Sequence, residues 1–585
     1  MADRTKTGLE ILQVAAILGL LGNILLRQTP WGLNVFLFNL VFVAGTVTLM
    51  LRRNRELLTR QTLALLAAQL FFAAMFAWRG STELLTADAV AIVVILSVIF
   101  VPKMKISANI AGVFHYIVGF LWSSLNALFA SGVLLVSDIE WKGTQQTGWS
   151  RHLSSALRGV VIVTPIIFIF GALFMAADAA YQGLVERVLY IKPETIFSHV
   201  LLTFIFAWLS AGYLRGVLLG NEPVFTVGPQ PRSQTAPDSE SKVDQIKTET
   251  GNEAPTLPDN RTVLEHINIS DEPNADEKES ETRAEANVSV SSEKGKKAAW
   301  EWARIDNSIL PAGFTFGPIE IGVILGAIDL LFLSFVIVQV SYLFGGMDLV
   351  QNTPDFKLAE YARRGFGELV AVSALVLPIL LAAHWLIRRD NPFTEKLFRA
   401  LAGVQIVLLF VIMASAVQRL VLLTGNLGYG LTTTRFYPMI FMTWLAVVFI
   451  WFALTVLRGS RQYFAWGALW AAIFTLGATH FLNPDAFIVK TNLALMKQGR
   501  QFDARYNARL SDEAIPILLD NFVELNENDQ VTVFREIAKR SCKKRTEGDL
   551  RSWNVARQRA SIVINQYEAF ASYACAPAKQ PETGE

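Results

Sequence analysis

An all-α, polytopic integral membrane protein of about eleven spans is the fold class this 585-residue sequence predicts. Three observations predict it. Fifty-two per cent of the residues are hydrophobic and only 17% charged. The apolar residues gather into stretches of roughly 20, long enough for a helix to cross a hydrocarbon core of about 30 Å. The charged residues crowd into the connections, one central insert and the C-terminal tail. Helices rather than a barrel follow because the alternating polar residues of a barrel strand are missing, and in lipid every backbone amide must be satisfied internally.

In chain order the expected spans are 9–26, 31–51, 62–78, 84–102, 159–177 and 196–219 before the insert, then 321–344, 366–387, 400–424, 436–457 and 463–482. No cleavage site follows the first stretch, which reads as an uncleaved anchor. Segment 106–136 is apolar enough to pass as a further span, but Asn109, His115, Ser123, Ser124, Asn126 and Ser131 interrupt it. Charge arbitrates. With the N-terminus inside and this segment interfacial or re-entrant, the inner connections hold 17 Lys and Arg against 8 outside, with clusters at Arg52 to Arg60 and Arg388 to Arg399. Cytoplasmic loops carry such an excess, so the topology puts the N-terminus and the insert in the cytoplasm and the C-terminus outside. The expected location is a bacterial inner membrane, with the lipid bilayer as the obligatory partner.

Four regions follow: a membrane bundle over 1–220, a linker over 221–299, a second bundle over 300–482 and a helical soluble tail over 483–585. The linker carries 16 acidic and 9 basic residues among Pro, Ser, Thr and Asn. It has too little apolar surface to offset its ordering entropy, so it reads as disordered, serving as a tether or as a docking segment for a protein partner. Basic residues Lys294, Lys296, Lys297 and Arg304 with Trp300 and Trp302 suit an amphipathic stretch at the anionic inner leaflet. In the tail, Ser511 is expected to cap a helix through Ile515 and Leu519. Leu550, Trp553, Ile562, Ile564, Tyr567 and Phe570 suggest a later one with a buried face. The two cysteines, Cys542 and Cys575, are both in the tail. Outside the cell they are candidates for a disulfide; in a reducing compartment they would be two thiols.

Polar residues collect at the outer ends of the second bundle. Tyr342-Leu343-Phe344-Gly345-Gly346 closes the seventh span, and Glu360-Tyr361-Ala362-Arg363-Arg364-Gly365-Phe366 opens the eighth, with Glu368 one turn on. Tyr429-Gly430-Leu431-Thr432 with Arg435 precedes the tenth, and Asn483-Pro484-Asp485-Ala486 follows the eleventh. Guanidinium groups at Arg363, Arg364 and Arg435 offer planar donors to carboxylate or phosphate, with Glu360, Glu368 and Asp485 as counter-charges. The plainer reading is helix-end anchoring to headgroups. Through these four motifs the chain resembles the bacterial membrane proteins catalogued as domain of unknown function 4173, a resemblance that implies a polytopic fold and supplies no reaction.

Within the spans, Asp329 is an ionisable group at membrane depth and a functional candidate by default. Arg419 lies where its side chain can snorkel. His115 and His384 lack further ligands at metal spacing, so neither a metal nor any other cofactor is expected. A phosphate-binding Gly-rich loop, His-Glu-x-x-His, Gly-x-Ser-x-Gly and Cys-x-x-Cys are all missing, and the residues name no catalytic set. The acidic insert argues against nucleic-acid binding. Transport or lipid handling through the outer-face charges stands first. An envelope assembly or signalling protein that docks partners stands second, and an enzyme stands behind both.

Overall fold

The computed structural model describes residues 2–104, 106–139, 193–220, 315–344, 366–388, 391–421, 424, 430–546, 549–567 and 570. These belong to one compact unit formed by Met1–Val224 and Trp302–Glu585. The expected span 159–177, the linker 221–299, the basic stretch at Lys294 to Trp302, and Glu360, Tyr361, Arg363, Arg364, Tyr429 and Cys575 lie outside the described residues.

The fold is all-α. Among the described residues eleven helices are long and apolar enough to cross a membrane, and no β-sheet occurs. They comprise α1 (Ala2–Leu26), α2 (Leu33–Arg53), α3 (Arg60–Trp78), α4 (Thr82–Phe100), α5 (Val113–Val133), α6 (Pro193–Leu219), α7 (Pro318–Phe344), α8 (Phe366–Leu386), α9 (Pro392–Val421), α10 (Thr433–Thr455) and α11 (Phe464–Leu482). The tail adds α12 (Pro484–Lys497), α13 (Ala504–Arg509), α14 (Ala514–Asp520), α15 (Glu527–Thr546) and α16 (Val555–Asn565).

Where the described connections are short, from α1 to α4, from α8 to α9 and from α10 to α11, successive helices run antiparallel, and helix ends segregate onto two faces. The N-terminal face gathers the start of α1, the α2–α3 turn, the end of α4, the start of α7, where Phe316 N–H donates to the Leu386 carbonyl, and the α10–α11 turn. The tail face gathers the α1–α2 and α3–α4 turns, the starts of α6 and α10, and the end of α11. On that face Arg27 Nε donates to Ser198 Oγ at 3.3 Å, so α1 and α6 run antiparallel. Close approach explains their small residues: a Cβ at Gly19 would stand 2.6 Å from the Thr203 carbonyl oxygen.

Helix α5 is apolar and long enough to span, yet both its ends meet the N-terminal face. Gly119 lies against Ser97 and Val101 at the end of α4. At the other end, where α5 widens into a π-turn over Leu134–Asp138, Asp138 meets Arg4.

Among the described residues three large apolar cores organise the unit, with a small fourth one around Val101, Met104, Ile106 and Ala111. One joins α1–α4 and α6, with Phe72, Ile95 and Leu214 fully buried. A second joins α7–α10 around Leu409, Phe449 and Phe452. Helix α11 serves both, sending Ile473 into the first and Phe464 into the second. The third packs the tail on itself and on Leu431 and Phe436 of the membrane half.

Two tail expectations are corrected. Ser511 does not cap α14; its hydroxyl turns to Glu513 Oε2 at 2.5 Å, and Glu513 stands at the N-cap without a side-chain cap bond. The charge-assisted bond to the carboxylate turns the hydroxyl away from the first-turn amides of α14. The buried stripe of α16 is Ala556, Ala560 and Ile564, an i, i+4, i+8 set. Leu550 and Ile562 are exposed. Arg419, expected to snorkel, is buried on α9 instead.

Candidate functional site

Where α11 ends, Asn483 takes a left-handed conformation (φ 53°) and Pro484 occupies the first turn of α12. Asparagine tolerates that region and proline suits a helix start, so this pair turns the chain sharply from membrane helix to tail helix. Asp485 follows in the first turn, where a carboxylate complements the helix dipole. Nearby, Asn492 of α12 clamps the entry to α10. Its amide accepts from Leu431 N–H at 2.6 Å and donates to the Leu431 carbonyl at 3.0 Å and to Asn507 Oδ1 at 2.9 Å. Gly430 beside it has φ 71°, and a Cβ there would press to 2.8 Å from Asn492 Oδ1.

These elements wall a cleft of about 600 Å³ on the tail face. Gly80, Thr82 and Glu83 at the start of α4, Thr433 of α10 and Asp485 of α12 supply the membrane side. The tail side comes from Asp503, Arg505, Tyr506, Arg509, Ser511, Asp512 and Arg540. Four carboxylates therefore face three guanidinium groups. Ser511 N–H donates to Asp485 Oδ2 at 3.1 Å, while Asp485 Oδ1 is buried with no hydrogen-bond partner. Burial first, and then the fields of Glu513 and Glu83, push the Asp485 carboxyl up to about 6 against the opposing Ser511 bonds. Burial also lowers Arg540, against the pull of Asp512, Glu536 and Asp485.

Besides the apolar contact with Leu431 and Phe436, polar bonds fasten the tail to the membrane helices. Trp553 accepts from Leu33 N–H at 2.9 Å, and Glu513 Oε1 accepts from Gly80 N–H at 2.8 Å. Asn554 Nδ2 donates to the Arg79 carbonyl at 2.8 Å, and Arg557 donates to the Trp31 carbonyl at 3.1 Å. Turns that would otherwise meet water or headgroups thus spend their amides on the tail.

Below the cleft, inside the bundle, Asp88 of α4 faces His480 of α11, Oδ1 to Nε2 at 2.8 Å, with both side chains fully buried. Arg79 donates to the His480 carbonyl, and Phe71 and Phe72 flank the ring. At the opposite face Asp138 receives Arg4 Nε at 2.8 Å and Arg215 Nε at 2.7 Å; Asp138 and Arg215 are buried. Asp329 is 7% exposed on α7, both carboxyl oxygens lack a hydrogen-bond partner, and it lines an apolar groove with Gly322, Gly326, Leu401 and Leu408. Among the described residues no three His, Cys, Asp or Glu gather as metal ligands.

Of the site residues read from the sequence, Asp485 lines the cleft and Asn483 sets the turn beneath it. Arg435 donates to the carbonyl of Gly430 in its own connection, and Glu368 is exposed at the start of α8. Neither of these two lines the cleft. The tail arginines Arg505, Arg509 and Arg540 were missed because a helical surface rich in Arg reads as solvated. Asp88 and His480 were missed because 392 residues separate them and neither belongs to a motif.

A family model described as a domain of unknown function, DUF4153, matches residues 66–243 and 288–521, well over half of the chain. The chain belongs to that family. The family number is thereby corrected, since the motif resemblance had pointed to 4173. The matched stretches include Glu83, Asp88, His480, Asp485 and Arg509, whereas Arg540 and both cysteines fall beyond them. No curated protein and no solved structure matches the chain.

Proposed function

We propose that this member of DUF4153 binds a zwitterionic group in the tail-face cleft, a phospholipid headgroup or a small free solute, and acts in transport or lipid handling. The observation that carries the reading is the split lining. A cationic end of the ligand has Glu83 and the unpartnered Asp485 Oδ1, and an anionic end has Arg505, Arg509 and Arg540. Buried carboxyl oxygens are costly without a donor, and guanidinium forks match phosphate or carboxylate. The volume falls in the range of about 300–1,000 Å³ usual for small-ligand sites.

The location proposed is a bacterial inner membrane with the N-terminus and 221–299 cytoplasmic and the tail outside. Arg52, Arg53, Arg55, Arg60, Lys396 and Arg399 all belong to helix ends of the N-terminal face, which supports that orientation. Segment 106–136 is proposed to enter and leave at that same face, supported by the contacts at both ends of α5.

The test is binding of phosphoethanolamine to the full-length protein, and in parallel retention of phosphatidylethanolamine from mixed nanodiscs. An Arg505→Ala, Arg509→Ala double variant is expected to lose about tenfold or more in affinity, equivalent to at least about 1.4 kcal/mol. Binding of the free compound alone assigns a solute, and retention of the lipid alone assigns a headgroup. Wild-type protein that takes up neither defeats the proposal.

A second reading, an assembly protein with a protein partner at the tail or insert, draws on Val523 and Leu550. These two apolar side chains of the tail are 89% and 83% exposed. Mild crosslinking in native membranes separates the two readings: a stoichiometric protein on the tail favours the second.

A further inference from the structure

The Asp88–His480 pair is built from two helices distant in sequence, and two polar atoms are left over. Asp88 Oδ2 and His480 Nδ1 are both buried and have no hydrogen-bond partner. An ordinary structural bond between buried side chains satisfies its groups, because each orphan acceptor or donor in an apolar interior is costly. Phe71 and Phe72 lie against the His480 ring and offer no hydrogen-bonding group.

A carboxyl and an imidazole that share one proton are neutral overall, whichever atom holds it. Removing the proton leaves a net negative charge in low dielectric, and adding a second leaves a net positive one; both are expensive without a counter-charge. The charged and titratable groups around the pair are few. Arg79 at the end of α3 donates to the His480 carbonyl and is the adjacent cation. Glu83 stands five residues before Asp88 on α4, about 7.5 Å up the helix axis toward the cleft. It accepts from Ser81 Oγ at 3.2 Å, and Ser81 in turn meets the Tyr437 hydroxyl of α10 at 3.0 Å. Asp485 lies five residues beyond His480, at the start of α12. From the tail, Glu513 and Arg559 act on Arg79 with opposite signs.

We infer that Asp88 and His480 together form a proton-binding site beneath the cleft, whose occupancy is coupled to the tail through Arg79. The inference does not depend on what occupies the cleft. Arg79 favours the state that has lost the proton, and the tail holds Arg79 through the bond from Asn554 to its carbonyl. Coupling is reciprocal, so proton uptake weakens the hold of Arg79 on His480, and a tail that pulls Arg79 away raises proton affinity.

The experiment is pH-difference infrared spectroscopy of the full-length protein in nanodiscs, from about pH 4 to pH 10, which brackets carboxyl and imidazole titration. It is run in an Asp485→Asn background so that the raised carboxyl of the cleft contributes nothing. A protonated-carboxyl band is expected to rise and fall with pH, to vanish in Asp88→Asn, to move its midpoint in His480→Gln and to persist in Asp329→Asn. Ring-13C histidine should show an imidazole change with the same midpoint. A spectrum that Asp88→Asn leaves unchanged overturns the inference. Should that variant not accumulate, protein with native Asp88 and labelled histidine decides: a carboxyl transition with no imidazole component at its midpoint also overturns it.

Discussion

The two faces of the membrane bundle handle their buried carboxylates differently. On the N-terminal face Asp138 receives two guanidinium groups, Arg4 and Arg215, and Glu10 of α1 takes a forked pair of bonds from Arg53 of α2 at 2.8 and 2.6 Å. Its acids are matched, the buried atom left over there being Nη1 of Arg215, and its helix ends are tied to one another. On the tail face Asp88, His480 and Asp485 each keep one buried polar atom unsatisfied, and the turns are tied instead to the tail. Matched charges hold a structure in a single arrangement, whereas unmatched ones are stable only while something else compensates, which is the property of a binding site. The comparison therefore separates a face whose acids are paired with guanidinium groups from one whose acids keep an unpaired oxygen.

The largest effect should come from breaking the fastening. Arg215→Ala removes the more buried partner of Asp138 and leaves a carboxylate with only the half-exposed Arg4. Loss of one partner of a buried pair costs about 3–5 kcal/mol. The variant is expected to fall sharply in membrane abundance and in thermal unfolding temperature. An Arg215→Ala protein as stable as wild type would show that the N-terminal face does not depend on this pair.

Next in size is the tail itself. A Cys542–Cys575 bridge is expected to stabilise the small tail domain by roughly 3–4 kcal/mol in the chain-entropy model, less any native strain. Cys542 is in α15, and Cys575 lies outside the described residues. Thiol labelling of denatured, unreduced protein from native membranes should find no free thiol. Two free thiols would sink the bridge, and with it one support for placing the tail in an oxidising compartment.

The smallest effect is a pH dependence. Asp485 has a folded pKa of about 6 against an ordinary 3.8, so the native state binds the proton more tightly than the unfolded chain does. Its contribution to stability is complete below about pH 4, falls as pH rises to about 6 and is flat above, a change of roughly 2–3 kcal/mol at most. Unfolding of the tail followed from pH 4 to 7 should show that slope, and Asp485→Asn should flatten it. An unchanged slope in the variant would assign the titration elsewhere.

Composition and hydropathy alone determined the all-α membrane class and the helices α1–α4 and α6–α11, because crossing a bilayer demands a long run of apolar residues that any reading of the chain detects. The end of the eleventh span before Asn483, and Asp485 and Asp329 as candidates, could also be read from local sequence, the first from where the apolar run stops and the others from a charge beside or within such a run. The tertiary structure decided what depends on distance across the fold. It brought both ends of α5 to one face, which hydropathy cannot do because an apolar helix has the same composition whether it crosses or turns back. It turned Ser511 toward Glu513, left Leu550 exposed in the turn before α16, and left Ile562 exposed because Ala556, Ala560 and Ile564 form the buried side of that helix. It set Arg505, Arg509 and Arg540 opposite Glu83 and Asp485, and it paired Asp88 with His480. A lone charge in sequence has no sign of its partner; whether it is matched, and so structural, or unmatched, and so available, is settled only when packing excludes water and fixes which groups remain within bonding distance.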